Sequence, residues 1–579
     1  MRKALSLFFV LAVLMGIAVS SAGAQQTPAN VEQQLLDTLA TNGTANFFVK
    51  MTGEADLSAA YQITDWSARG WYVYNTLLEF AQVSQKPVVE YAQKHGLDFT
   101  SMLTTNAVYI RGGNLQAVQE ISALAGVELI RTERFYQIPD PSLLPEFGPA
   151  PAPEAVTDWG ITDTKADQVW SLGVTGTGIK VANIDTGVQW NHPALVNQFA
   201  CPGTPTDPNC WRDPANICGA GGACDNNGHG THTMGTMVGK NDPALTYIVG
   251  MAPGSTWIAC KGCESNSCSE GSLNTCADWI VAPNGNPDNR PDVVNNSWGG
   301  GGGDNWYLAK VNAWRAAGIF PAFSAGNSGS GCSTMGSPGD YQESFASAAH
   351  ANGRVIASFS SRGASAFGHT PYTKPNISAP GVSVCSSVPT NSWNCGYSGT
   401  SMASPHSAGA VALIWSACPA YRRNIDLTFQ LLQNTADLPP AGNCGAPPDG
   451  QGNYTYGYGY LNALNAVQTC VASQQKLHVQ AIALAGRTQL GKNTVKTTVA
   501  VKDQNGLVVS GATLTVDFTF PKGSHKIFTV TTNTLGRASF VASSLFGGTW
   551  TSCVTNITKA GFSYDPSQNH ETCDSIVFP

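Results

Sequence analysis

From Trp159 to about Cys470 the chain is glycine-rich, and short apolar runs alternate with helical stretches. Val181-Ala182-Asn183-Ile184, Val293-Val294-Asn295 and Ile319-Phe320-Pro321-Ala322-Phe323 are runs of the kind that form strands buried on both faces. Helical patterns such as 306–317 lie between them. Strands alternating with helices predict an α/β domain built on a parallel sheet.

The flanks read differently. Residues 25–140 form a cysteine-free block. Phe47-Phe48-Val49-Lys50-Met51, Ala107-Val108-Tyr109-Ile110-Arg111 and Val127-Glu128-Leu129-Ile130 read as strands. Helical patterns cover 72–95 and 115–124. This order predicts a small α+β fold. Residues 141–158 form a Pro-rich junction, extended and a poor core former. After a short polar link at 471–476, residues 477–579 change to a period of two, as in Thr513-Leu514-Thr515-Val516-Asp517-Phe518. Turn signals at Asp503-Gln504-Asn505-Gly506 and Gly547-Gly548 complete the pattern of an all-β sandwich.

Composition narrows the class. At roughly 100–200 residues per domain, 579 residues fit about three or four units. Only 12% are charged and the net charge is −7, which gives no support for a nucleic-acid binder, since such a protein normally carries a basic surface. The single long apolar run, 4–19, follows Met1-Arg2-Lys3 and precedes Ala22-Gly23-Ala24. That is the pattern of a secretory signal peptide over 1–24, the alternative being a membrane anchor. Export implies an extracellular protein with no membrane attachment after cleavage. All 16 cysteines lie at or beyond Cys201. In an exported chain an even number reads as disulfides, with the pairing open. Cys260, Cys263, Cys268 and Cys276 could instead hold zinc, but no second Cys-x-x-Cys follows.

Three motifs carry chemistry. Asp185 ends a buried run in Ile184-Asp185-Thr186-Gly187-Val188. His229 stands between glycines in Asn227-Gly228-His229-Gly230-Thr231-His232, at a helix start. Ser401 lies in Ser398-Gly399-Thr400-Ser401-Met402-Ala403-Ser404-Pro405-His406, before an apolar helix. Singly, Asp185 and Ser401 could be helix caps, and His229 a turn residue or metal ligand. Together they are the types a serine nucleophile requires. The hydroxyl needs a base within hydrogen-bond reach, and the base needs a group to orient it. Histidine, with a pKa of about 6.5, suits the base role. A buried carboxylate fixes its tautomer and stabilises the imidazolium. A fourth motif, Ser324-Ala325-Gly326-Asn327, follows a strand. The Asn327 NH₂ and the Ser401 N–H could together hold an oxyanion, with Asn327 as a mere turn residue the alternative.

The order Asp185, His229, Asn327, Ser401 and these four motifs resemble the subtilisin-type serine peptidases, the subtilases, over about 159–467. Asn295-Asn296-Ser297-Trp298-Gly299, Gly336-Ser337-Pro338-Gly339-Asp340-Tyr341 and Trp279-Ile280-Val281-Ala282-Pro283 are similar to the bacillopeptidase F-like subgroup. The N-terminal block resembles the family's inhibitory prosegment, and the last block resembles bacterial immunoglobulin-like domains. The resemblance implies a mostly parallel sheet with helices on both faces, over 159–470. It implies a secreted, monomeric endopeptidase acting on proteins and peptides, made as a self-processing zymogen that its own prosegment inhibits. Asp185, His229 and Ser401 would be the triad, and Asn327 with Ser401 the oxyanion hole. Ser297, Trp298, Gly299, Ser324, Ala325, Gly326 and Gly336 would line the substrate pocket. Asp340 is expected on the surface turn beside Pro338-Gly339.

The chemistry needs no cofactor. The family's strong calcium site uses an acidic residue where this chain has Ala194, so that site is expected to be lost; structural calcium at weaker sites elsewhere stays open, and no metal ligand is assigned. The rivals are a binding protein that reuses the fold without catalysis, and a zinc hydrolase using the cysteine cluster and His229.

Overall fold

The computed structural model describes residues 30–138, 156–367, 373–447, 450–473, 475–559 and 561–578. The segment read as a signal peptide and nearly all of the Pro-rich junction lie outside the described residues. Two compact units result. One comprises residues 30–52, Ser84–Ser101 and Ala107–Thr132, and the other comprises Gly53–Val83, Met102–Asn106 and the described residues from Glu133 on.

The first unit is built on a five-stranded sheet in the order Asn30–Val31, Val127–Thr132, Thr44–Met51, Ala107–Asn114, Asp98–Met102. Leu35 and Leu39 from helix Gln33–Asn42, and Val118 and Ile121 from helix Leu115–Ser122, pack with Phe47, Val49, Val108, Ile110 and Ile130. The helical pattern read as continuous over 72–95 is in fact two helices, Trp66–Ser84 and Lys86–Lys94. Pro87 sits in the first turn of the second, where its missing N–H costs nothing. Inside one continuous helix its ring would clash with the carbonyl four residues back.

The second unit contains a seven-stranded sheet. Its order is Ile377–Pro380, Phe345–His350, Phe320–Ser324, Val293–Asn296, Lys180–Asp185, Thr256–Lys261, Trp211–Arg212. Every pairing is parallel. Val181, Ala182, Ile184, Val293, Val294, Phe320, Ala322 and Phe323 are fully buried, as a sheet covered on both faces demands. Helix Thr400–Ala417 packs against the strands at 293–296, 320–324 and 345–350 and against helix His229–Val238.

The C-terminal residues form two four-stranded sheets around their own core of Leu477, Val499, Leu514, Val516, Phe518 and Trp550. In Thr513–Thr519 buried and half-buried residues alternate strictly, as the period of two predicted. The polar link is shorter than read. Helix Ala463–Ser473 and strand Gln475–Gln489 are separated by one residue.

All 16 cysteines form disulfides: 201–210, 218–224, 260–276, 263–268, 332–444, 385–395, 418–470 and 553–573. The sulfurs of the Cys260–Cys276 cluster are therefore spent on each other and hold no zinc.

Candidate active site

Asp185 ends strand Lys180–Asp185, and His229 opens helix His229–Val238. They meet because position 230 is glycine: a Cβ there would stand 2.1 Å from the Gly187 carbonyl oxygen. His229 Nδ1 lies 2.7 Å from Asp185 Oδ1, with both side chains fully buried. Asp185 also accepts from the Thr186 N–H at 2.7 Å and the Thr233 hydroxyl at 3.2 Å. A carboxylate only accepts, so Nδ1 carries a proton, and in the neutral ring Nε2 presents a lone pair. Nε2 is buried without a hydrogen-bond partner among the described residues.

The neighbouring His232 is different. Its Nε2 is tied to the Val384 carbonyl at 3.1 Å, its ring stacks on Tyr397, and burial pushes its pKa down to about 3. It is a neutral core residue. Asp225, which sequence reading passed over, holds the turn before His229. It accepts from the N–H groups of Asn227, Gly228 and Thr231 and from the hydroxyls of Thr186 and Thr231, at 2.7–3.0 Å.

Ser401 sits in the first turn of helix Thr400–Ala417, where backbone N–H groups have no partner within the helix. Its hydroxyl donates to the Ser297 carbonyl at 3.1 Å. Ser297 Oγ in turn donates to the Ser401 carbonyl at 2.9 Å, and Asn295 links Ser297 to Ser404. Asn327 Oδ1 accepts from both the N–H and the hydroxyl of Thr400 at 2.9 Å. An N–H can face only the oxygen end of an amide. The geometry thus fixes the amide orientation and leaves the Asn327 NH₂ unspent.

A cleft of about 290 Å³ joins these groups. Of the residues expected there, Trp298, Gly299, Ser324, Gly326, Gly336, Asn327 and Ser401 line it. Ser297 and Ala325 are fully buried and do not; Ser297 supports Ser401 from behind. Thr400, Ser328, Gly300, Gly301 and Gln137 also line it. Gln137 belongs to strand Phe135–Gln137, which pairs antiparallel with Ser267–Ser269, and Gln137 itself bridges to Gly299. Only the bare Gly299–Gly303 run hinted that a backbone would pass there.

Asp340 is a correction. It is fully buried, not on a surface turn, and its Oδ2 accepts from the Gly303 N–H at 2.8 Å. Burial raises its pKa above the ordinary carboxylate value.

The calcium question turns on Ala194. Its methyl offers no ligand, and its carbonyl already accepts from the Lys240 N–H at 2.8 Å. Among the described residues no group of three His, Cys, Asp or Glu is placed to hold a metal. No helix among the described residues is long and apolar enough to cross a membrane.

A parallel α/β sheet with an Asp–His pair at a strand end and a serine at a helix start defines a class of serine peptidase. The sequence model of the Subtilase family matches residues 176–460. Bacillopeptidase F of Bacillus subtilis (strain 168) is 41% identical over 325 residues, which is 54% of this chain and 22% of that protein. Subtilisin of Bacillus pumilus is 34% identical over 266 residues, 45% of this chain and 86% of the relative. Subtilisin E of Bacillus subtilis (strain 168) is 32% identical over 313 residues, 54% of this chain and 71% of the relative. The chain belongs to the subtilase family of serine peptidases, on its bacillopeptidase F-like side, although it spans only about a fifth of bacillopeptidase F itself.

Proposed function

We propose that this chain is a secreted serine endopeptidase, made as a zymogen that processes itself. The Ser401 hydroxyl leaves the Ser297 carbonyl, gives its proton to His229 Nε2 and attacks the peptide carbonyl. Asp185 holds the His229 tautomer and stabilises the imidazolium that forms. The Asn327 NH₂ and the Ser401 N–H receive the oxyanion. His229 then protonates the leaving amine, and water releases the acyl group by the reverse route. The observation that carries this reading is the buried 2.7 Å Asp185–His229 contact, which leaves Nε2 bare beside the helix that bears Ser401.

In the same reading, residues 25–140 are an inhibitory prosegment and 141–158 the maturation region. Support comes from the extended strand Phe135–Gln137, whose last residue lines the cleft and bridges antiparallel to Gly299, and from Tyr136, whose ring stacks on Trp306 at 4.3 Å. A strand placed like substrate blocks the groove until the chain beyond it is cut and removed. Residues 1–24 would direct export, and 477–579 would be an immunoglobulin-like appendage. Substrates are proteins and peptides bound as a β-strand along Gly299.

Replacement Ser401→Ala tests the reading. The variant should fold and accumulate as unprocessed proprotein, while a fluorophosphonate probe labels only the parent. Maturation to normal size with activity retained would refute it.

A further inference from the structure

Residues 53–83 interrupt the first unit's sheet, yet they cluster with the peptidase residues instead. Their helix, Trp66–Ser84, begins with a tryptophan held between two cations. The Arg290 guanidinium lies 3.2 Å from the Trp66 ring centroid, and that of Arg423 lies 3.5 Å from it. Arg290 also donates to the Trp66 carbonyl. Its other hydrogen bonds go to the carbonyls of Pro287 and Ala317, at 2.6 and 3.2 Å. Arg290 is 2% exposed, and none of these acceptors is a carboxylate. The arm therefore supplies both an acceptor and an aromatic face to a buried guanidinium, which desolvation makes valuable.

Two further contacts run the same way. Arg69 donates to the carbonyls of Ala316 and Arg315 at 2.6 and 2.8 Å, satisfying the end of helix Leu308–Ala316. Trp71 Nε1 donates to Asp288 at 3.2 Å. Gly70 explains itself only here. Glycine inside a helix is unfavourable. A Cβ at position 70, however, would stand 2.0 Å from Arg290 Nη1 and 2.4 Å from its Cζ. The arm gives up helix propensity so that the guanidinium can lie against it.

We propose that residues 53–83 are a clamp that binds the Arg290–Arg423 face of the peptidase independently of the groove, and so retains the prosegment after the junction is cut. This rests on the prosegment reading.

The test uses the full chain in three forms: unchanged at the arm, Trp66→Ala, and Gly70→Ala. Each is made with Ser401 intact and also with Ser401→Ala. The Ser401→Ala proteins are nicked in the junction by an added unrelated protease, and retention of the N-terminal fragment is followed by size exclusion. The unchanged arm should retain it, and both arm variants should release it about tenfold faster or more. Gly70→Ala makes a better helix, so a merely structural arm predicts equal or tighter retention. That result would overturn the clamp, as would unchanged retention in both variants. With Ser401 intact, the lag between junction cleavage and full activity should shorten in both variants. If nicked enzyme is fully active while the fragment is retained, the inhibitory reading fails and the clamp stands.

Discussion

Asp340 reaches the Gly303 N–H from inside the protein, at 2.8 Å, and so braces the glycine wall of the cleft. Two more backbone links join the same segments, Gly300 N–H to the Ser337 carbonyl at 2.9 Å and Ser337 N–H to Gly301 at 3.4 Å. Asp340 is absent from the cleft lining, which carries no charged side chain. A buried Lys or Arg of a substrate would find no partner there, and an unpaired charge is costly to desolvate. Peptide-library profiling should show large apolar residues before the scissile bond, broadly tolerated, since one methylene of fit is worth only about 1–3 kcal/mol. A strong preference for Arg or Lys would overturn this. Asp340→Ala removes the acceptor of the Gly303 N–H; Gly303 is exposed and water can replace that acceptor, so the loss of this bond should cost about 0.5–1.5 kcal/mol, and Asp340→Asn, which keeps an acceptor, should cost less.

Asn327 has one function left open by its contacts. Its oxygen is fixed by Thr400, so only the NH₂ can act on a ligand. Asn327→Ala should lower kcat by on the order of 10²–10³, a magnitude known from the subtilases themselves, with KM little changed. A loss confined to KM would make Asn327 a binding residue. Thr400→Val, which removes one of the two donors to Oδ1, should lower kcat by a smaller factor through the amide's orientation.

The proposed triad could be picked out in the sequence because the chemistry proposed for it demands particular residue types, and in the fold Asp185 ends a strand while His229 and Ser401 stand in the first turns of helices. Asp340 could not. Its neighbours Pro338 and Gly339 signal a surface turn, but its burial depends on Gly303, 37 residues earlier. Gln137 was missed for the same reason, since its strand is three residues long and pairs with residues about 130 positions away. The cysteine count implied disulfides, but pairing depends on which loops the fold brings together. Cys263 pairs with Cys268 and not with Cys260, three residues away.

One disulfide closes a far longer loop than any other. Cys332–Cys444 spans 112 positions. In the chain-entropy account a crosslink of that length restricts the unfolded chain by about 5 kcal/mol. The double variant Cys332→Ser, Cys444→Ser should lose several kcal/mol, measured by denaturant unfolding in the Ser401→Ala background to prevent autolysis. Removing Cys263–Cys268, which spans 5 positions, should cost clearly less. Equal losses would show that local strain, not loop closure, sets the effect.

Lys374 is a buried cation whose charge burial destabilises. It is fully buried, and its Nζ donates to the Ser344 carbonyl at 2.5 Å and to Asn376 Oδ1 at 2.9 Å, both neutral acceptors. Burial pushes its pKa down to about 7, from an ordinary 10.5; Asp340 and Glu343 oppose the shift and Arg315 adds to it. Between about pH 7 and 10.5 the unfolded chain holds this proton and the folded chain does not. Stability from this group therefore rises with pH across that window, by at most about 1.4 kcal/mol per pH unit. Below pH 7 both states are protonated and the burial penalty is full and constant. Lys374→Met removes the titration. It also leaves Ser344 and Asn376 one donor short, but that loss does not vary with pH, and Asn376 Oδ1 keeps the Ala346 N–H at 2.8 Å. The slope is thus the readout. Measured by denaturant unfolding at pH 6, 8 and 10 in the Ser401→Ala background, the parent should gain on the Lys374→Met variant as pH rises from 8 to 10. A difference that stays flat from pH 6 to 10 would mean that Lys374 keeps its proton in the fold, held by the carboxylate of Asp340.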